Sequence, residues 1–307
     1  MNTSRSTLLL ALVAGSAALA QGQTLLYEFT FDDYANGTTA VSTGQPSRTA
    51  NLIHHPSSGV TNPTNLRGAP GSGVSGSLGD YALDLSDASK MGGTSGSPGY
   101  GGSAYVTGGA SALSNATSFT IAGWYNANTT PGNFARLVEL RYTSLYFSAN
   151  GTLQVTAELQ GYGGNLSTSD TRITVSDPIF TLTSQWVFFA FTFDSVSGEA
   201  NLYAGTSPDN LATIVSGSFA KVPVTGISGD LSIGNSATSS HERPFDGLID
   251  NIRIWADTSG SASALSEEAL KSVMRNDLGL IPEPSSAAVL AGVATLGLAA
   301  SRRRRAK

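Results

Sequence analysis

The chain of 307 residues contains no cysteine. That absence excludes disulfides, thiolate zinc sites, iron–sulfur clusters and cysteine nucleophiles, so export would need no oxidative folding. Histidine is nearly as scarce. His54, His55 and His241 are too few and too scattered for a histidine-based metal site or a Ser-His-Asp triad. There is no HExxH, no P-loop, no EF-hand loop and no GxGxxG after a strand. No repeat of fixed period appears. Charge is thin, at 13% of residues, with a net −5. Setting aside residues 1–20 and 282–307 leaves 11 Lys plus Arg against 21 Asp plus Glu, a net −10. Such a surface argues against a nucleic-acid partner. What the chain does have is 40% hydrophobic residues and 35 glycines. The apolar content supports a sizeable core, in one large all-β domain or two ordinary ones.

The two ends read as addresses. Residues 1–20 (MNTSRSTLLLALVAGSAALA) carry Arg5, an apolar run from Thr7 to Ala18, and Ala18-Leu19-Ala20 before Gln21. This is the pattern of a secretory signal peptide cleaved between Ala20 and Gln21; a membrane anchor is the alternative, for which the run is short. At the other end, Ser285 to Ser301 are seventeen residues without charge, followed by Arg302, Arg303, Arg304 and Arg305. Seventeen is the lower limit for a transmembrane helix, and the arginines place that end in the cytoplasm. A plain tail anchor would look like this. With Pro282, Glu283 and Pro284 in front, however, residues 282–307 resemble the bacterial PEP-CTERM sorting signal. That resemblance implies recognition by an exosortase-type sorting enzyme in a Gram-negative-type bacterium that makes exopolysaccharide. The protein would be held transiently in the inner membrane, then released or transferred to the cell surface or extracellular matrix.

Between the ends, residues 21–281 read as one domain with no clear linker. From Val41 to Ala112 the sequence is rich in Gly, Ser and Thr, which predicts long loops and short strands. Leu25, Tyr27, Phe29 and Phe31 alternate along one strand face. Phe119, Ile121, Gly123 and Tyr125 alternate with Thr120, Ala122 and Trp124. Asn150-Gly151 between two apolar runs is a hairpin signal. The run Trp186 to Phe193 (WVFFAFTF) is apolar on both faces, as in a strand between two covering layers. Many short strands with regular turn chemistry predict an antiparallel two-sheet sandwich or jelly roll. One helix is expected near the end, capped by Ser266, with Glu267 and Glu268 in its first turn and Leu270, Val273 and Met274 on one apolar face.

Several segments resemble the laminin-G-like, concanavalin A-like jelly-roll family: LYEFTFDD (26–33), SFTIAGWYNA (118–127), WVFFAFTFDSVSGEANLYAG (186–205), LSIGN (231–235) and FDGLIDNIRIWADTSGSASALSEEALKSVM (245–274). The resemblance implies two antiparallel sheets of roughly six or seven strands, one of them concave and often sugar-binding. The family holds lectin-like modules, glycosidases and adhesion domains, so the fold fixes no activity. The Glu-x-Asp-x-x-Glu or Glu-x-Asp-x-Glu strand of its glucanase branch is absent. Glu139 and Glu158 are lone strand acids, expected to face solvent or to pair with Arg136, Arg141 or Arg172. Asp250 shares an alternating line with Leu248, Ile252 and Ile254, so its carboxylate needs a cation, an arginine or hydrogen bonds. In related jelly rolls a structural calcium joins the first strand to the last; by that resemblance Asp250 would meet Asp32, Asp33 or carbonyls around Asn36-Gly37 at a Ca2+ ion. Candidate sugar platforms are Trp124, Tyr142 and Tyr162.

The reading is of an exported, non-catalytic protein that binds polysaccharide or mediates adhesion at the cell envelope. A glycoside hydrolase with a divergent carboxylate pair and a ligand-free structural matrix protein are the alternatives. The mature chain is expected to begin at Gln21 and to lose its arginine-rich end after synthesis. Pulse-labelling with antibodies to both ends tests this; a mature protein that retains Arg302 to Arg305 would rule out the processing.

Overall fold

The computed structural model describes residues 22–280 apart from 34, 36, 58–59, 87–100, 133, 141–142, 150–151, 157–170, 226–227 and 238–241. The expected signal peptide with its Ala20–Gln21 junction and the expected sorting segment, including the transmembrane helix 285–301, lie outside these residues. Among the described residues no helix is long and apolar enough to cross a membrane.

Among the described residues there are sixteen strands and one α-helix. Sheet A contains β1 (Thr24–Phe29), β5 (Leu83–Asp84), β7 (Ser118–Ala127), β12 (Trp186–Asp194), β13 (Glu199–Gly205), β14 (Ala212–Ser218) and β16 (Gly247–Asp257), in the order β1-β16-β7-β12-β13-β14 with β5 beside β16. Sheet B contains β2 (Thr39–Val41), β3 (Thr49–Ser57), β4 (Val60–Pro63), β6 (Gly102–Val106), β8 (Arg136–Leu140), β9 (Thr143–Ala149), β10 (Thr152–Thr156), β11 (Arg172–Ser176) and β15 (Leu231–Ile233). Its order is β11-β10-β9-β8-β15-β6-β3-β2, with β4 beside β3. All pairings are antiparallel. The all-β two-sheet sandwich is as expected, with seven and nine strands. The Gly/Ser/Thr-rich stretch supplies four of them, β3 to β6, including the nine-residue β3.

The main core lies between the sheets. Phe119, Ile121 and Tyr125 of β7 meet Val187, Phe189, Phe191 and Phe193 of β12 there, with Phe147, Phe219 and Phe245. The opposite faces of the same strands are apolar too. Ala122, Trp124, Phe188 and Ala190 form a second cluster beneath α1 (Glu267–Asp277). This is why WVFFAFTF is apolar on both sides: the core and the helix each require a face. The helix starts where Ser266 accepts a hydrogen bond from the Ala269 amide at 3.3 Å. Leu265, Leu270 and Met274 are buried against Trp124 and Phe188.

A charged network completes this docking. Arg253 of β16 donates from Nε to Glu28 of β1 at 2.7 Å and from Nη1 to Asp277, at the end of α1, at 2.8 Å. Asp277 also accepts the Trp124 indole N–H at 2.8 Å. Burial alone would push the Arg253 pKa down, but the facing Asp277 and Glu28 carboxylates push it up and win. Strand, sheet and helix are thus tied through one guanidinium.

Asp277→Ala leaves Arg253 with Glu28 alone and the indole N–H without an acceptor. It is expected to cost about 3 kcal/mol in urea unfolding, because a buried pair loses one partner. Asp277→Asn, which keeps an acceptor for Trp124, is expected to cost less. An unchanged midpoint for the alanine variant would show that apolar contact alone holds the helix.

Candidate functional site

The outer face of sheet B is set by register. Leu52, Ala104, Ile233, Val138 and Leu145 stand opposite one another on β3, β6, β15, β8 and β9, and all point into the core. One residue along, every side chain must point the other way. That neighbouring line runs Thr39, Asn51, Tyr105, Ser232, Glu139 and Ser144 across six strands. Arg172 of β11 continues the line through the β10 position 156. A shorter line of Thr174, Gln154, Tyr146 and Arg136 runs beside it. Both lines are rich in hydrogen-bonding side chains.

These residues bind one another. Arg136 pairs with Glu139, whose other oxygen accepts from the Ala237 amide at 3.1 Å and from Ser236 Oγ at 3.4 Å. The Arg136 guanidinium lies 4.0 Å over the Tyr146 ring. Gln154 donates to the Tyr146 hydroxyl and accepts from Thr174 at 3.4 Å. Tyr146 runs beside Phe134, with centroids 6.3 Å apart, and Arg243 sits 4.2 Å over Phe134. Phe134 is 38% exposed and holds a positive φ of 70°. Tyr105 donates to Asp230, which raises its pKa together with burial. In the middle of the long line, Ser232 Oγ is fully buried and has no hydrogen-bond partner among the described residues. An unsatisfied hydroxyl of this kind costs roughly 1–3 kcal/mol. Glu139 therefore does pair with Arg136, as the sequence suggested; Glu158 and Arg141 lie outside the described residues.

A second polar site opens on the other layer. An open cleft of about 410 Å3 is lined by Asp32, Ser75, Asp80, Asn251, Arg253 and Asp277, among others. It lies where β16 bulges: pairing with β7 slips between Asp250 and Arg253, and Asn251 takes φ 51°. Gly123 opposite leaves room, since a Cβ there would lie 2.3 Å from Ile252 Cδ1.

The bulge corrects one sequence expectation. Leu248, Asp250, Ile252 and Ile254 do not share a face; Ile249, Ile252 and Ile254 enter the core, and Asp250 stands opposite Trp124. Asp250 is fully buried, and its oxygens accept from the Val74 amide at 2.9 Å and the Asn251 amide at 2.7 Å. Arg253 is committed elsewhere, so the two backbone amides satisfy Asp250, with the Asn251 side-chain amide donating at 3.4 Å. The three carboxylates proposed for calcium are divided. Asp33 is paired with Arg67, which also donates to the Phe31 carbonyl at 2.9 Å. Asp32 accepts from the Tyr81 amide at 2.9 Å. Asp32 and Asp250 both face Asp80, a residue the sequence reading passed over. Among the described residues no group of three or more His, Asp or Glu is placed to hold a metal ion. The set Asp32, Asp33 and Asp250 therefore does not fit calcium as arranged here.

Trp124 also needs correction as a sugar platform. It is fully buried beneath α1, with its N–H on Asp277, so no ligand ring reaches it. Tyr142 and Tyr162 lie outside the described residues. Among the described residues Tyr146, Tyr105 and Phe134 are aromatics on or beside this face. Tyr105 and Tyr146 stand in the alternation of β6 and β9, but choosing them requires knowing which face the helix covers; Phe134 lies on neither strand.

With two antiparallel sheets, a capped back and a polar front, the chain has the architecture of a lectin-like domain. Residues 100–263 match the family described as the concanavalin A-like lectin/glucanases superfamily, and the chain belongs to it. No curated protein matches the chain. Among solved structures, a carbohydrate-binding protein of Bacteroides ovatus shares 20% identity over 52% of this chain and 41% of its own, with a TM-score of 0.37. A botulinum neurotoxin type C that depends on interaction with two ganglioside molecules shares 13% over 83% of this chain and 51% of its own, with a TM-score of 0.51. The Ruminococcus gnavus IT-sialidase CBM40 bound to α2,3-sialyllactose shares 15% over 54% and 86%, with a TM-score of 0.40. The chain spans about half or less of the first two of these structures.

Asp250 gives the site a pH signature. Burial pushes its carboxyl well above the usual range; Asp80 and Asp277 add to this, while the Val74 and Asn251 amides oppose it. A folded pKa above the unfolded value of about 3.9 means that the unfolded chain ionises first. The associated stability is complete below about pH 4 and is lost as pH rises through the folded value. Wild type is therefore expected to lose stability relative to Asp250→Asn as urea unfolding is followed from pH 4 to 8. A difference that does not change with pH would show that Asp250 ionises alike in both states.

Proposed function

We propose that the protein is a non-catalytic carbohydrate-binding domain that uses the outer face of sheet B. The observation that carries this is the register line of Asn51, Tyr105, Ser232, Glu139 and Ser144, joined by Tyr146, Gln154 and Arg136. Sugars are recognised by many hydroxyl-directed hydrogen bonds beside an aromatic ring. This face offers hydroxyl, amide, carboxylate and guanidinium groups around Tyr146 and Phe134. Sheet A cannot serve in the same way, because α1 and its apolar cluster cover that side. Membership of the lectin/glucanase superfamily supports the reading, and the gangliosides of the neurotoxin offer a precedent on a similar fold.

The protein is exported through its signal peptide and sorted at its PEP-CTERM-like end by an exosortase-type enzyme. It acts at the envelope surface or in the matrix of a bacterium that makes exopolysaccharide. The sequence pattern of the two ends, described above, supports this part. The glycosidase alternative requires a second carboxylate beside Glu139.

The purified full chain is expected to bind one or more polysaccharides on a glycan array. Tyr146→Ala and Gln154→Ala are each expected to weaken that binding about tenfold, or ~1.4 kcal/mol, with thermal unfolding preserved. Binding unaffected by both variants would move the site off this face. Binding to no glycan would end the reading, and turnover of a bound polysaccharide would replace it with the hydrolase.

A further inference from the structure

The chain between its two end signals carries a net −10. Three arginines nevertheless stand on or beside the outer face of sheet B, Arg136, Arg172 and Arg243, with the carboxylates of Glu139, Asp230 and Glu242 near them. Arg136 pairs with Glu139. The nearby Asp230 is tied to Tyr105 and to the Gly108 amide at 2.7 Å. Among the described residues neither Arg172 nor Arg243 forms an ion pair. Arg172 is exposed, two strands from Ser144 in the same line, about 10 Å away by strand spacing.

Arg243 is held in a particular way. The centre of its guanidinium sits 4.2 Å over the Phe134 ring, as that of Arg136 sits 4.0 Å over Tyr146. The two arginines and two rings form a connected array along one edge of the face. Stacking fixes the plane of a guanidinium but leaves its edge N–H donors free. A free, planar, fixed fork of donors matches a carboxylate in bidentate fashion. Phe134 is held out for this at a positive φ, a conformation uncommon for a bulky residue.

We propose that the saccharide this face takes is an acidic one. Its carboxylate, as in a uronic-acid polymer, meets Arg243, and neighbouring acidic units meet Arg172. The inference rests on the carbohydrate-binding reading and specifies its ligand class.

Polygalacturonate and its fully methyl-esterified form share a backbone and differ in charge. In affinity electrophoresis or calorimetry with the full chain, the acid form is expected to bind at least roughly tenfold more tightly. Arg243→Gln is expected to lower binding of the acid form to about the level of the ester, and Arg172→Gln to reduce it in part. Arg275→Gln, on α1 behind the other sheet, removes the same charge and is expected to change nothing. Unfolding midpoints confirm that each variant folds. Dextran sulfate is expected to bind more weakly than polygalacturonate; the reverse order would overturn the carboxylate assignment. Equal binding of acid and ester, or selective binding of neutral glucans, would overturn the acidic class while leaving the sugar-binding face in place. Equal losses in Arg243→Gln and Arg275→Gln would reduce the effect to net charge and overturn the site. Failure to bind any glycan would instead strike the underlying reading.

Discussion

Arg253 decides which side of the sandwich is open. Its guanidinium reaches Glu28 on the neighbouring strand and Asp277 at the end of the helix, and Asp277 in turn holds the indole of Trp124. A buried arginine is tolerable only with its charge balanced and its donors used, and two carboxylates meet that demand. The cost of leaving it unpaired keeps α1 in one place. With the helix there, Leu270 and Met274 seal Trp124 and Phe188, and sheet A offers no broad polar surface. Among the described residues no α-helix covers sheet B. The difference between the two layers thus follows from one ion-pair network on sheet A.

Much of this arrangement was legible in the residues. β12 is apolar at every position from Val187 to Phe191, and only a strand with two dry faces needs that. The helix announced itself through Ser266, the two glutamates and an apolar stripe, all of which take their expected places. Tyr27, Phe29 and Phe31 face the core as their alternation required. Leu25 does not, because β1 bulges between Leu25 and Tyr27; Leu25 turns to the helix side and Leu26 to the core. The slip at Asp250 has the same origin. A period-two pattern carries no mark of an inserted residue, so every side chain before a bulge is assigned to the wrong face. Asn251 was the available clue, since asparagine tolerates positive φ better than most residues.

The site was less legible than the fold. Reading β7 alone, Trp124 looked like a platform, because its face differed from that of Phe119 and Ile121. The same logic that placed β12 between two layers applies to β7 beside it, and it buries Trp124. The open face is built across strands far apart in sequence: Asn51, Tyr105, Ser232, Glu139 and Ser144 become neighbours only through pairing. Alternation reveals that each is polar and points outward. It does not reveal which residues stand opposite one another, because register depends on turns and bulges as well as on pattern.

Glu139 is held in a way that does not suit a general acid. A general acid must hold a proton on one oxygen and present it to the glycosidic oxygen, with a second carboxylate about 5–10 Å away. Glu139 is 3% exposed; one oxygen faces Arg136 and the other accepts from Ala237 and Ser236. A carboxylate committed in this way has little freedom to move toward a substrate. The same commitment suits binding. It fixes Arg136 over Tyr146, which in turn is fixed by Gln154 and flanked by Phe134 and Arg243. Each group that would touch a sugar is already held by another, so little side-chain freedom remains to be lost on association. A surface built this way gains affinity from rigidity, the property a lectin needs and a mobile proton donor lacks.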